Sequence, residues 1–251
     1  MDTYTGFAQL YDELMDNVPY GAWCDFVCKT LKEYGIGDGL ILDLGCGTGI
    51  FTEMLASSGY DMIGVDNSED MLQAALEKRD KSGHDILYLQ QDMREFELYG
   101  TVWAIVSICD SMNYLTDPAD FQKVLGLVAN YLDNDGLFLF DLNSEYKYAQ
   151  FLGDRTIAEN REDCSFIWEN DYDPATKINQ YALTIYARTD DDGLYERFEE
   201  LHEQRAYAIG EVKEMIASAG LTLLAVYDGY TKDAPNDRSE RITFLVKRPA
   251  R

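Results

Sequence analysis

The chain has 251 residues, 46% of them hydrophobic, enough to close a core in one domain or in one domain carrying an insertion. Its 21 Lys and Arg against 46 Asp and Glu leave a formal net charge of −25, which argues against partners held through phosphate: nucleic acid and anionic membranes both call for clustered basic side chains. The five cysteines include no closely spaced pair beyond Cys24 and Cys28, and the histidines are His84 and His202 alone, so neither a disulfide framework nor a metal site is expected.

The N-terminal residues show no basic region followed by an apolar run. No apolar stretch approaches the roughly 20 residues of a membrane span. A cytoplasmic protein is expected. Tyr4, Phe7, Ala8, Tyr11, Leu14 and Met15 recur at helical spacing until Val18-Pro19 breaks the pattern. A second helix runs from about Tyr20 through Trp23, Phe26, Val27, Thr30 and Leu31 and ends near Gly35. Ile41 to Leu44, apolar apart from Asp43, suit the exit of a buried parallel strand. Gly45, Gly47 and Gly49 then alternate with Cys46 and Thr48, and Phe51, Met54 and Leu55 resume helical spacing. The stretch reads as strand, glycine loop and helix, and ligands of open α/β sheets bind at the carboxyl ends of such strands.

The glycine spacing is G-x-G-x-G, not the dinucleotide pattern G-x-G-x-x-G. Asp43 at the strand end would repel a phosphate but suits a cation or a hydroxyl. On Asp43, Gly45, Gly47 and Gly49 the chain resembles the class I S-adenosylmethionine-dependent methyltransferases, whose first motif is D/E-x-G-x-G-x-G. Their cofactor is cationic at its sulfonium and amino group and carries no phosphate. The resemblance implies S-adenosyl-L-methionine as cofactor, with Asp43, Gly45, Cys46, Gly47 and Thr48 among its contacts. It implies an α/β fold: a seven-stranded, mostly parallel sheet with helices on both faces. The N-terminal pattern around Tyr4, Phe7, Ala8, Tyr11 and Asp12 is also similar to the cap helix of small-molecule methyltransferases, which makes Tyr11 a cofactor contact.

Asp61 to Asp66 read as the second strand. Asp66, 21 residues after Gly45, falls where an acid that holds ribose belongs. Asn67 follows, Ser68 caps the next helix, and Met71 is either core or an adenine contact. Ile86 to Gln90 form the third strand, leading to Gln91-Asp92-Met93. The resemblance makes Asp92 an acceptor for the adenine amino group beside a backbone N–H of Met93. Val102 to Cys109 are a continuous buried run, the fourth strand. In the resembled fold this strand faces methionine and acceptor, so the Cys109 backbone is a cofactor candidate and Asn113 and Tyr114 are acceptor-side candidates. Asn113 has a turn cap as its other reading. Asp117-Pro118 starts a helix with Phe121, Val124, Leu125, Val128 and Leu132 on one face, and Asn134-Asp135-Gly136 turn into a fifth strand, Leu137 to Leu142.

From residue 144 to 205 the pattern changes to alternation, over Cys164 to Tyr172, Ile178 to Arg188 and Leu194 to Arg205. This reads as an antiparallel β insert dividing an α/β domain of residues 1–143 and 206–251. Its aromatic residues, Phe166, Trp168, Tyr181 and Tyr186 among them, call for a covered face, and Trp168 is a further acceptor-side candidate in a possible substrate lid. Two closing strands, Leu221 to Tyr227 and Ile242 to Val246, resemble the reversed seventh strand of the methyltransferase fold. The expected function is transfer of a methyl group from S-adenosylmethionine to an oxygen, nitrogen or carbon of a small-molecule acceptor. No catalytic residue is assigned, because an acceptor already deprotonated needs no base. The alternatives are a cofactor-binding regulator or scaffold without turnover and, disfavoured by Asp43 and the glycine spacing, a nucleotide-cofactor oxidoreductase. The expected protein is a monomer or homodimer that binds neither nucleic acid nor membrane.

Overall fold

The apolar run after Gly39 becomes β1 (Leu40–Leu44), the middle of a sheet built mostly of parallel strands. The computed structural model describes residues 11–189 and 193–250; Tyr4, Phe7 and Ala8 of the first predicted helix lie outside them, and residues 11–14 are helical. β2 (Asp61–Asp66), β3 (Ile86–Gln90), β4 (Val102–Ser107) and β5 (Leu132–Asn143) complete the parallel part. β1 pairs with β2 and β4, β2 with β3, and β4 with β5. The last two strands are β10 (Thr222–Asp228) and β11 (Arg241–Lys247), and β11 runs antiparallel to both β5 and β10. The order is β10-β11-β5-β4-β1-β2-β3, so the carboxyl ends of β1 to β5 meet at one edge.

Alternation along these strands sends side chains to two cores. On one face α1 (Tyr20–Glu33) and α2 (Ile50–Ser57) bury Val27, Leu31 and Leu55 against Ile41, Ala104, Val106 and Leu139. On the other, α4 (Pro118–Tyr131) and α5 (Ile209–Ser218) bury Phe121, Val124 and Val212 against Leu42, Phe138, Phe140 and Phe244. α3 (Glu69–Ser82) follows β2, and the Ser68 hydroxyl caps it by accepting from the Met71 amide at 3.3 Å. Asp117 accepts from the Ala119 amide at 2.9 Å with Pro118 in the first turn of α4, as the sequence predicts.

Between β5 and α5 the chain forms a second sheet of β6 (Thr156–Asn160), β7 (Cys164–Asp173), β8 (Ile178–Arg188) and β9 (Tyr195–Arg205), all antiparallel. β6 was not foreseen, because its mostly exposed residues show no alternation. Tyr181 and His202 are cross-strand partners, as are Asn170 and Tyr181, so Trp168, Asn170, Tyr181, His202 and Gln204 share one face. Tyr186 pairs with Ser165 and Arg197 and points the other way, a correction to its grouping with Trp168 and Tyr181. β5 also begins earlier than Leu137: Leu132 pairs with Val102, and a register shift between Val102 and Ala104 absorbs the Asp133–Gly136 stretch.

Candidate active site

The glycine loop closes on β2. Gly45 and Cys46 both donate to the Val65 carbonyl, at 2.8 and 3.0 Å, and Gly47 donates to Asp66 Oδ2 at 2.8 Å. Asp66 Oδ1 accepts from the Ser68 amide at 2.9 Å. Each carboxylate oxygen has two lone pairs, so Asp66, half-buried, keeps acceptor capacity for a ligand hydroxyl beyond its bonds to Gly47 and Ser68. Burial pushes its carboxyl up, opposed by the amides of Ser68, Gly47 and Asn67. A side chain at Gly49 would meet the Tyr88 hydroxyl at 2.5 Å and Ala75 Cβ at 2.9 Å, so glycine there lets α2 lie close to β3 and α3. A side chain at Gly47 would meet nothing within 4 Å, so the middle of the loop borders open space. That bare backbone beside a hydroxyl-accepting carboxylate fits a ribose-bearing ligand.

Asp43 lies beneath this loop, 1% exposed. Its Oδ2 accepts from the Thr52 hydroxyl at 2.6 Å, and Oδ1 is buried with no hydrogen-bond partner among the described residues. Burial pushes the carboxyl up to about 7, against the Thr52 bond and with Asp66 adding to the rise. Asp43 therefore reaches a ligand only through the loop or a bridging water. Cys46 and Thr48 are likewise turned inward. The Cys46 thiol abuts the space over Gly64, and the Thr48 hydroxyl donates to Asp12 at 2.5 Å, so both offer backbone only. Lys78 fastens the same corner through the Thr48 carbonyl at 2.9 Å and Asp12 at 2.5 Å.

At the end of β3, Asp92 is held by Arg94 in a bidentate pair with contacts of 2.5 to 3.0 Å. Hydrogen bonds from Arg94 hold its carboxyl below the ordinary range. This pairing, invisible in the sequence pattern, shares Asp92 between Arg94 and any ligand amine. Met93 and Met71 are half-buried, Asn67 is exposed, and the Met93 methyl lies against Gly45.

Just past β4 come two successive left-handed residues, Cys109 (φ 59°) and Asp110 (φ 57°), a costly conformation for side-chain-bearing residues. Asp141, fully buried on β5, holds it. Its carboxylate accepts from the Cys109 amide at 3.1 Å, the Asp110 amide at 2.6 Å, Arg241 at 2.7 Å and the Tyr230 hydroxyl. Arg241 also pairs with Asp110 at 2.7 Å and stacks on Trp23, which stacks on Tyr230. Burial would lower Arg241, but Asp141 and Asp110 outweigh it and hold the guanidinium well above its ordinary range. The Cys109 amide is thus committed to Asp141, so its backbone can offer a ligand only its carbonyl. Asp141 is a lone acid in the apolar run Phe138 to Leu142, which is the one sequence signal of its role.

Tyr11, Tyr20, Tyr114 and Tyr181 gather around Cys109 and Asp110. Burial is the first cause lifting all four phenols, and each also feels Cys109 or Asp110. The Cys109 thiol is pushed up to about 12 by burial and then by Asp110. Yet Tyr114 is 44% exposed and Tyr11, Tyr20 and Tyr181 are half-buried. These accessible phenols line the space between the β4 exit and the inner face of the insert, where the Tyr114 and Tyr181 hydroxyls meet at 2.6 Å. Trp168 sits edge-on to Tyr181 at 5.6 Å, its indole N–H buried without a partner among the described residues. Asn113 is a correction. It is fully buried, and its amide accepts from the Asn143 N–H at 2.9 Å and donates to the Asn143 and Arg205 carbonyls at 3.3 and 2.8 Å. It staples β5 to the end of β9, and its full burial leaves it no face for an acceptor. A hollow of about 600 Å³ between Asp117 and the Asp171–Ile178 hairpin shares no lining residue with the glycine loop or the four phenols, which sets it aside.

Several proteins that this chain resembles are methyltransferases by name. The family described as "Methyltransferase domain" matches residues 41–136. A protein of Geobacillus sp. (strain WCH70) that carries a provisional methyltransferase name is 39% identical over 98% of this chain and 100% of its own. Another with such a name, YqeM of Bacillus subtilis (strain 168), is 38% identical over 98% of this chain and 97% of its own. The crystal structure of an S-adenosylmethionine-dependent methyltransferase from Clostridium acetobutylicum ATCC 824 superposes with a TM-score of 0.90 at 31% identity, covering 99% and 100% of the two chains. A SAM-bound amino pentose methyltransferase from Micromonospora echinaspora shares the fold, with a TM-score of 0.75 at 17% identity over 95% and 96%.

Proposed function

The chain belongs to the class I S-adenosylmethionine-dependent methyltransferases, and from that premise we propose that it methylates a small molecule held between the glycine-loop edge of the main sheet and the insert. The bound cofactor supplies a methyl group activated on a sulfonium. This chain's residues bind, orient and exclude water. Asp66 accepts from the ribose hydroxyls, the Gly45–Thr48 backbone lies along the methionine part, and Asp92, Met93, Asn67 and Met71 flank the adenine. Tyr11 and the Cys109 carbonyl face the sulfonium end. Trp168 and Tyr114 face the acceptor, with residues 144–205 as a lid.

One observation carries the acceptor side of this reading: the Tyr114 hydroxyl lies 2.6 Å from that of Tyr181, so phenols of the β4 exit and of the insert face one another at an aromatic-walled gap. Such a gap aligns a nucleophile with the methyl group and keeps water out, and alignment alone can supply up to ~7–11 kcal/mol. The net charge of −25 speaks for a small acceptor and against nucleic acid. All five cysteines are free thiols, which suits a reducing cytoplasm. We place the protein there, as a monomer or homodimer.

The test is incubation with methyl-labelled S-adenosylmethionine and a fractionated bacterial extract. Label should appear in the low-mass fraction. Label confined to nucleic acid or protein would refute a small-molecule acceptor.

A further inference from the structure

The insert places an acid, an imidazole and a phenol in one row beside Tyr114, which follows the β4 exit. Tyr181 and His202 face each other across β8 and β9, and Glu200 shares the His202 face through the two-residue period of the strand. Glu200 Oε2 lies 2.8 Å from His202 Nε2. The imidazole stacks on Tyr181 at 4.7 Å and 18° and meets Tyr114 edge-on at 5.8 Å and 73°, which fixes its plane. His202 Nδ1 is 3.4 Å from the Tyr114 hydroxyl, which is 2.6 Å from that of Tyr181. An ionised carboxylate only accepts, so Nε2 carries the hydrogen. In the neutral ring Nδ1 is then a lone pair aimed at Tyr114. The 3.4 Å separation is of the loose kind seen before a substrate tightens a site.

We infer that Tyr114, His202 and Glu200 form the proton-accepting chain of the methyl transfer, and that the acceptor enters still protonated, as a hydroxyl or an amine and not as a preformed anion. This rests on the reading that the acceptor occupies the gap beside Tyr114. The acceptor heteroatom forms its bond to the methyl carbon with a lone pair, and the carbon–sulfur bond breaks with its pair remaining on sulfur. The heteroatom keeps the electrons of its bond to hydrogen. That proton passes to the Tyr114 oxygen as the Tyr114 proton passes to His202 Nδ1. The products are a methylated acceptor and a neutral thioether, and the positive charge ends on the imidazolium opposite Glu200. Tyr114 is the group that meets the acceptor; Glu200 is a positioning residue that fixes the tautomer. Its surroundings do not suggest a purely structural pair, since the Glu200 and His202 side chains are 21% and 24% exposed and a pair so accessible adds little stability.

The experiment is NMR of the full-length protein labelled with ¹⁵N-histidine. There are two histidines, and His84, paired with Glu53, is assigned by its loss in His84→Asn. Neutral His202 should be the Nε2–H tautomer, Glu200→Ala should mix the tautomers, and Tyr114→Phe should shift Nδ1 towards its unbonded position. A dominant Nδ1–H tautomer, or nitrogen shifts unmoved by Tyr114→Phe, would overturn the chain. With the low-mass fraction that takes up label, His202→Asn should lower kcat about a hundredfold, the ordinary scale of acid–base assistance, and added imidazole should restore part of it. S-adenosylhomocysteine affinity should stay within about threefold, since His202 lies on the acceptor side. Rate and affinity falling together would show a structural role instead. If no fraction takes up label, the proposed function fails, while the NMR result still decides the proton chain.

Discussion

Asp43→Asn should make the protein more stable at pH 8 and flatten its stability profile in mild acid. Asp43 is buried with a single partner among the described residues, the Thr52 hydroxyl, and its carboxyl is pushed up to about 7. In the unfolded chain it titrates near 4, so between about pH 4 and pH 7 the folded state holds a proton that the unfolded state has lost. Stability contributed by that proton is full below pH 4, falls as pH rises through the window, and is gone above pH 7. The gap corresponds to roughly 4 kcal/mol. Asparagine keeps an oxygen for Thr52 and removes this penalty, but its amide nitrogen then occupies the site of the partnerless Oδ1, which costs about 1–3 kcal/mol. The net gain at pH 8 is about 1–3 kcal/mol, or roughly 2–12 °C in Tm for a chain of this size. Thermal melts of the ligand-free protein from pH 4 to pH 8 measure it. A variant that melts lower at pH 8, or that keeps the parent's fall in Tm between pH 4 and pH 7, would refute the reasoning.

Asp66→Asn should weaken S-adenosylhomocysteine binding by about 1.5–3 kcal/mol, roughly 10–150-fold, because one charged acceptor is lost and an amide turns towards the Gly47 or Ser68 N–H; calorimetry showing a change under threefold would contradict it. Asp141→Ala leaves Arg241, Tyr230 and two backbone amides without their shared acceptor and should cost about 3–5 kcal/mol in denaturant unfolding. Replacing residues 144–205 by a Gly/Ser linker should hold cofactor affinity within a few-fold and abolish transfer. Full retained activity would eliminate the insert as a lid.

The main sheet was legible because its signals are local. β1 and β2 are apolar runs that end at glycine or acid, and Ser68 and Asp117 mark helix starts that the structure caps as expected. Asp66 was legible as a ribose-holding candidate from its distance to the glycine loop, but not its bonds to Gly47 and Ser68, which depend on how the loop folds back on β2. The acceptor side was harder to read for the same reason. Tyr114 was in view, whereas Glu200 and His202 lie on a strand whose charged alternation resembles a solvated face, and only the β8–β9 register brings them to Tyr114. Asn113 misled because a polar residue after β4 suits both a ligand and a staple, and its three partners come from Asn143 and Arg205, distant in the chain. Arg94 and Asp141 were missed because a side-chain ion pair and a buried acid become meaningful only once their partners are placed.

The central claim is that cofactor and acceptor meet between the glycine loop and the insert, and a crystal structure with S-adenosylhomocysteine tests it most directly. The ribose should hydrogen-bond to both oxygens of Asp66, and the thioether sulfur should face the gap bounded by Cys109 and Tyr114. A ligand seated away from Asp66, or a sulfur turned away from Tyr114, would contradict it.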